Sequence, residues 1–195
     1  SKYQWCTKHN FCNKCQSCFK FKSLQHPNLK IIVPLPSNPK SNKDSGALDG
    51  LKKEDIELLT SSMIDKGKNP IYKINIPNAH RITISSIREL RRDIYLKSQT
   101  SGRKIILIFD AHLLSEGAGE SANALLKILE EPPANTTLIL VTDKRSMLLP
   151  TILSRCQIIN FPRLNFKTIL EILESNGVEN KNAIKIDNGK IKKIK

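Results

Sequence analysis

Two apolar runs separated by an amphipathic segment constrain the fold of this chain most strongly. The runs are KIILIF at 104–109 and TLILVT at 137–142, and each is long enough for a strand buried on both faces. Between them, residues 121–131 carry apolar side chains at helical spacing, and Pro132-Pro133 ends that helix. A strand, a helix and a strand in this order form a parallel pair. The sequence therefore predicts an α/β fold.

Further elements follow from the same periodicities. The predicted strands are 29–33 and 157–161, and the predicted helices are 54–65, 85–97, 166–175 and a short one at 148–153. Ser85 or Ser86 is expected to cap the helix at 85–97. The polar stretch 36–53 is predicted to be a flexible insertion, and the Lys-rich last eleven residues are predicted to fray.

Four of the five cysteines lie close together: Cys6, Cys12, Cys15 and Cys18. Four thiolates in a short turn-forming segment suit tetrahedral zinc, which is the predicted cofactor. An iron–sulfur cluster, reduced thiols or disulfides remain alternatives, and His9 could replace one sulfur. A site closed by four ligands leaves no position for a reacting water, so we expect a structural role.

Charge and hydropathy indicate which partners and which compartment suit this chain. The formal net charge of +14 favours polyanions, nucleic acid first and anionic membrane surfaces second. No run of about 18 apolar residues occurs, and the N-terminal SKYQWCTKHN offers no apolar stretch for a secretory signal. These features predict a cytoplasmic protein with no membrane partner. Because the first residue is Ser and not Met, we expect the chain to be a fragment.

Three blocks carry a resemblance to a known family. NALLKILEEPP at 123–133, Thr142 at a strand end and PTILSRC at 150–156 closely resemble the AAA+ clamp-loader subunits of bacterial DNA polymerase III. The cysteine module and His26-Pro27 precede them in the same order as in that family. The resemblance implies an AAA+ parallel sheet flanked by helices, a zinc knuckle inserted in it, and the start of a helical lid.

The resemblance also implies a domain organisation. Residues 1–20 would form the zinc knuckle, and 21–163 the AAA+ domain, which lacks its N-terminal phosphate-binding part and carries an insertion at 36–79. Residues 164–195 would form the start of the lid and a basic tail.

Residues 110–111 distinguish the family's branches. Its ATP-hydrolysing subunits need a G-x-x-x-x-G-K-[ST] loop and an acidic pair, but here Ala111 follows Asp110, and no Gly-Lys precedes Ser or Thr. The resemblance is therefore to the non-hydrolysing delta-prime branch, with no intrinsic catalysis expected. Two alternatives remain: a truncated ATP-hydrolysing gamma/tau subunit, whose phosphate-binding loop would lie before Ser1, and an unrelated zinc-stapled nucleic-acid-binding module.

The resemblance assigns roles to individual residues. Arg155 resembles the arginine finger that acts in trans on ATP held by the neighbouring subunit. Asp110 and Thr142 correspond to vestigial Walker B and sensor positions, with no nucleotide bound by this chain. Cys156 is expected to pack under the finger, because no His pairs with it for nucleophilic chemistry.

Partners follow from the same resemblance. They are the gamma/tau and delta subunits, the sliding clamp and primer–template DNA. Ser85, Ser86 and Arg88, at the start of the predicted helix 85–97, could bind DNA phosphates.

Overall fold

The computed structural model describes residues 12–37, 46–96, 102–175, 184–187 and 190–193. The chain divides into two compact units, Ser1–Cys156 and Gln157–Lys195. The helices of the first unit are α1 (Gln16–Lys22), α2 (Lys53–Lys68), α3 (Ile84–Tyr95), α4 (Glu120–Glu130) and α5 (Pro150–Leu153), with 3₁₀ turns at Ala111–Leu114 and Arg145–Met147. Its strands are β1 (Leu29–Ile32), β2 (Lys104–Ile108) and β3 (Thr136–Leu140). The second unit contains α6 (Phe166–Ser175), β4 (Ile184–Asp187) and β5 (Lys190–Lys193).

A parallel sheet forms the centre of the first unit, as the sequence predicts. Its strand order is β1-β2-β3, and Leu107 of β2 stands opposite Ile31 on one side and Ile139 on the other. The ladder continues beyond β2, where the Phe109 N–H donates to the Ile32 carbonyl at 2.9 Å. Because the strands run in one direction, the residues that follow β2 and β3 meet at the same edge of the sheet.

The helices pack on this sheet through a single apolar cluster. Ile87 and Leu90 of α3, Leu125 of α4 and Ile152 of α5 are fully buried there. The Ser121 hydroxyl at the start of α4 donates to the Ile82 carbonyl at 2.8 Å, which joins α4 to the segment before α3. The core therefore fixes the ends of α3, α4 and α5 relative to the sheet.

The predicted cap of α3 was wrong by two or three residues. Thr83 is the N-cap, and its Oγ1 accepts a hydrogen bond from the Ser86 N–H at 3.3 Å. Ser85 and Ser86 lie inside the first turn and are buried. The β-branched Thr83 has an extended backbone, as an N-cap requires.

The segment before α3 is anchored to the core where the structure describes it. Ala47 donates its N–H to Glu89 Oε2 of α3 at 2.7 Å. Further along, a Cβ at Gly67 would lie 3.3 Å from the Lys22 carbonyl, so α2 and the end of α1 approach closely. Residues 46–53 of the predicted flexible insertion over 36–53 contain a turn and the start of α2, and 38–45 lie outside the described residues.

Two predictions in the second unit were also wrong. The apolar run 157–161 has no regular secondary structure, and Ile159 and Phe161 are 69% and 90% exposed. An apolar run becomes a strand only beside a strand that accepts its hydrogen bonds, and none of the described strands pairs with it. In the basic tail, by contrast, β4 and β5 pair antiparallel, where fraying was expected.

Among the helices that the structure describes, none has the length and apolar character needed to span a membrane.

Candidate functional site

Arg155 lies just after α5, in a position that the core determines. Pro150 begins α5, since its fixed φ suits the first helical turn, and Ile152 fixes the helix in the core. Arg155 follows at the surface, where 35% of its side chain is exposed. Cys156 is half-buried against the core, and burial raises the pKa of its thiol. A raised pKa leaves less of the thiolate, which is the nucleophilic form of cysteine.

Three hydrogen bonds hold the Arg155 guanidinium. Nη2 donates to Glu130 Oε1 at 2.8 Å, and Nη1 donates to the Thr151 carbonyl at 2.9 Å and to Ser154 Oγ at 3.5 Å. A guanidinium has five N–H donors in a planar fork. These contacts with described residues use three of the donors and leave two N–H groups of the guanidinium.

Asp110 and Thr142 lie at the carboxyl edge of β2 and β3, as predicted. Asp110 has a left-handed backbone with φ of 48°, and its Oδ1 lies 3.7 Å from Lys73 Nζ. Thr142 Oγ1 lies 3.0 Å from Nδ1 of the buried His112. His112 therefore connects the ends of the two strands.

Ala111 is fully buried at this edge, where its N–H donates to the Val141 carbonyl at 2.9 Å. The side chain directly after Asp110 is therefore a buried methyl group and not a second carboxylate. Asp110, His112 and Asp143 each bring one potential metal-ligating atom within 4.8 Å of the others. Sequence reasoning did not identify His112 or Asp143 as members of this group, and it did not place Lys73 beside Asp110, which only the fold brings near it.

Three described cysteines, Cys12, Cys15 and Cys18, converge at the start of α1. Cys12 Sγ and Cys18 Sγ lie 3.7 Å apart, and the ligand atoms of Cys12, Cys15 and Cys18 all lie within 4.8 Å of one another. Backbone N–H groups of Cys15 and Cys18 donate to Cys12 Sγ and Cys15 Sγ, both at 3.4 Å. Burial, followed by the hydrogen bond with Cys15, raises the pKa of Cys18 to about 11. Cys6 and His9 lie outside the described residues.

His26 attaches this cysteine segment to the sheet. Its ring stacks on Phe21 with centroids 4.0 Å apart. The Asn28 N–H donates to Nδ1 at 3.0 Å, and Nε2 lies 3.1 Å from Ser17 Oγ. Since Nδ1 accepts, Nε2 carries the proton of the neutral ring. Burial, and then the charge of Lys20, lower the pKa of His26, which favours this neutral form.

The predicted DNA-binding residues lie near the start of α3, with Ser85 and Ser86 in its first turn and Arg88 in the next. The hydroxyls of Ser86 and Thr83 are 2.8 Å apart, and Ser85 is buried. Arg88 is half-buried, and Arg91 and Arg92 are exposed on the same helix. The two serine hydroxyls are thus mostly withdrawn from solvent, and the basic side chains supply the accessible charge.

Comparison with known proteins agrees with this description. The family described as "DNA polymerase III, delta subunit" matches residues 1–165. The delta' subunit of DNA polymerase III from Haemophilus influenzae is 37% identical over 114 residues, which are 58% of this chain and 34% of that protein. Its counterpart from Escherichia coli is 27% identical over 161 residues, or 81% of this chain and 35% of that protein.

The gamma/tau branch of the resemblance is represented too. The gamma/tau subunit from Mycoplasma genitalium is 32% identical over 151 residues, which are 76% of this chain and 24% of that protein. A gamma subunit-related protein from Thermotoga maritima superposes with a TM-score of 0.40 at 20% identity over 80% of this chain and 53% of that one, a score too low for an architectural comparison. The chain spans about a third of the length of the delta' relatives.

With the family match over 1–165, the chain belongs to the DNA polymerase III clamp-loader subunits. Within them it is most like the delta-prime subunit, which confirms the resemblance that the motifs indicate.

Proposed function

We propose that this chain is part of a non-hydrolysing, delta-prime-like subunit of the clamp loader. In this role Arg155 is donated to ATP bound on a neighbouring gamma/tau subunit, so that the sliding clamp is loaded on primer–template DNA. The observation that carries the proposal is the state of Arg155: partly exposed, oriented by three hydrogen bonds, and with two N–H donors left. A guanidinium added to a phosphoryl-transfer site accelerates the reaction by about 10³–10⁵-fold.

The carboxyl edge of β2 supports the non-hydrolysing half of the proposal. Metal-assisted hydrolysis needs carboxylates that hold Mg²⁺ and position water. Here the residue after Asp110 is the buried Ala111, so no second carboxylate directly follows Asp110. Asp110 itself lies beside the Lys73 ammonium. Asp110 and Thr142 then serve as structural remnants of Walker B and sensor positions, and ATP binds only to the neighbour.

Structural zinc is part of the proposal, with Cys6, Cys12, Cys15 and Cys18 as ligands. Zinc–sulfur bonds of about 2.3 Å in a tetrahedron place the sulfurs about 3.8 Å apart, close to the 3.7 Å between Cys12 and Cys18. The backbone N–H groups that reach Cys12 and Cys15 would stabilise thiolate charge. The ion would hold the loop before α1 in place, and His26 would transmit that order to β1.

DNA binding is proposed for the start of α3, with Ser85, Ser86 and Arg88. Their support is the helix N-terminus, where backbone N–H groups favour phosphate, together with the basic side chains of α3. Because both serine hydroxyls are buried or engaged, Arg88 is expected to carry most of the affinity.

Replacing Arg155 tests the arginine-finger role directly. The full-length gene product carrying Arg155→Ala is assembled with the gamma/tau and delta subunits, and ATP turnover is measured with clamp and primed DNA. Turnover is expected to fall by about 10³-fold or more, while ATP binding by the neighbour is retained. Arg145→Ala, on an exposed 3₁₀ turn of the same unit, is the matched control. Unchanged turnover in Arg155→Ala would remove the proposed role.

The gamma/tau alternative makes a different prediction. A subunit of that branch binds ATP on its own chain, so the full-length product in isolation would bind and hydrolyse nucleotide. Nucleotide binding without any partner would therefore favour the alternative, whereas binding that appears only after assembly supports the delta-prime assignment.

A further inference from the structure

Glu130 is the acidic partner of Arg155, and its position in α4 is unusual for a carboxylate. It is the last residue of α4, where the partial negative charge of the helix C-terminus disfavours an acidic side chain. Glu130 Oε1 accepts from Arg155 Nη2 at 2.8 Å, with 49% of the glutamate side chain exposed. The guanidinium therefore compensates a carboxylate that the helix alone would disfavour.

The contacts around Arg155 divide into two kinds. Those to the Thr151 carbonyl and the Ser154 hydroxyl come from α5 and the residue after it, so they hold Nη1 close to its own helix. Glu130 is the contact from a different helix among the described residues around the guanidinium, separated from Arg155 by 25 positions. Among the described residues, this contact alone joins the guanidinium directly to α4.

We propose that Glu130 is a positioning residue for Arg155: it holds the guanidinium in the orientation in which its two remaining N–H donors meet the phosphate of the neighbouring subunit. This inference rests on the proposed arginine-finger role. Glu130 keeps its contact with Nη2 while the finger acts, and it does not touch the phosphate itself. A misplacement of about 1 Å can cost up to about 10²-fold in rate, so an oriented side chain has a measurable kinetic effect.

The ion pair has little value for folding. Both side chains are more than one-third exposed, and pairs of this kind contribute little to stability. Removing Glu130 is therefore expected to leave the melting temperature almost unchanged while it alters ATP turnover, which separates a positioning role from a structural one.

The experiment compares variants of the full-length product in the assembled clamp loader, with clamp and primed DNA present. Glu130→Ala is expected to lower kcat for ATP by about tenfold with KM changed less than twofold. Glu130→Gln keeps an oxygen that accepts one N–H bond, so it is expected to restore part of the loss. Glu131→Ala removes an exposed carboxylate one residue further on and is expected to match the unmodified protein.

A double variant shows whether Glu130 acts through Arg155. In an Arg155→Ala background, Glu130→Ala is expected to cause no further loss, since the two residues form one unit. An equal loss in both backgrounds, a rise in turnover on removing Glu130, or no change in the single variant would each overturn the inference. If Arg155→Ala itself has no effect, the arginine-finger role fails instead, so the two failures are distinguishable.

Discussion

Glu89 joins three parts of the first unit, and replacing it with Gln gives a prediction that the contacts quantify. Glu89 Oε1 accepts from Lys30 Nζ of β1 at 2.6 Å, and Oε2 accepts from the Ala47 N–H at 2.7 Å. Gln offers only one oxygen, so one of these contacts meets an NH₂ group instead. Asp93, at 2.7 Å from Lys30 Nζ, keeps the lysine paired in the variant.

The expected cost follows from these contacts. Hydrogen bonds to charged groups contribute about 1.5–3 kcal/mol, but Lys30 and Glu89 side chains are 37% and 27% exposed, so solvent screening reduces this value. We expect Glu89→Gln to lower the free energy of unfolding by about 1–2 kcal/mol. For a chain of this size the melting temperature falls by about 2–4 °C per kcal/mol, or about 2–8 °C in all.

The difference should also depend on pH. Burial alone would raise the pKa of Glu89, but hydrogen bonds from Lys30 and Ala47 outweigh it, and the pKa lies below its ordinary value of 4.5. A carboxyl with a lowered folded-state pKa contributes stability that is present above the unfolded value and is lost as the pH falls through the folded value. The difference in the free energy of unfolding between the unmodified protein and Glu89→Gln should therefore be constant near neutral pH and disappear below about pH 4.5.

Thermal unfolding followed by circular dichroism between pH 3 and pH 8 measures both effects. Glu57→Gln, at an exposed position of α2, is the control for removing one negative charge. The prediction is wrong if Glu89→Gln and the unmodified protein have the same melting temperature at pH 7, or if their difference in melting temperature is as large at pH 3 as at pH 7.

Two further predictions concern the metal and the DNA. Cys15→Ser should reduce bound zinc from about one equivalent to well below it by elemental analysis. Cys15 is also the N-cap that accepts the Cys18 N–H, and a serine hydroxyl can take over that cap, so the loss of zinc is not a loss of the cap. Cys156→Ser should keep its zinc, and equal zinc in both variants would reject the four-cysteine site. Arg88→Ala in the assembled complex should weaken primer–template binding for all sequences and reduce the slope of log affinity against log salt by about one; an unchanged slope would remove Arg88 from the phosphate contacts.

The central sheet could be predicted because its signals are local. The runs that form β2 and β3 are continuously apolar, and the helix between them has regular periodicity, so both strands and α4 lie within two residues of their predicted bounds. The run at 157–161 is also rich in apolar residues, but none of the described strands pairs with it, and local composition contains no information about partners. For α3, residues 83, 85 and 86 all have side chains that suit an N-cap, and only the extended backbone of Thr83 shows which of them caps the helix.

Residues of the candidate site could be located from the sequence only where they belong to a recognisable motif. Arg155 and Asp110 stand in recognisable sequence contexts. Glu130 and Lys73 reach them only through the fold, and no spacing in the sequence relates Lys73 to Asp110 or Glu130 to Arg155. Long-range side-chain pairs of this kind depend on how the helices and loops pack around the sheet.

ATP turnover by the complete gene product, measured alone and after assembly with the proposed gamma/tau and delta partners, distinguishes the delta-prime role from the gamma/tau one. We expect no turnover above background for the isolated protein, and turnover in the complex that depends on Arg155. Sustained hydrolysis by the isolated, purified protein would contradict the delta-prime role.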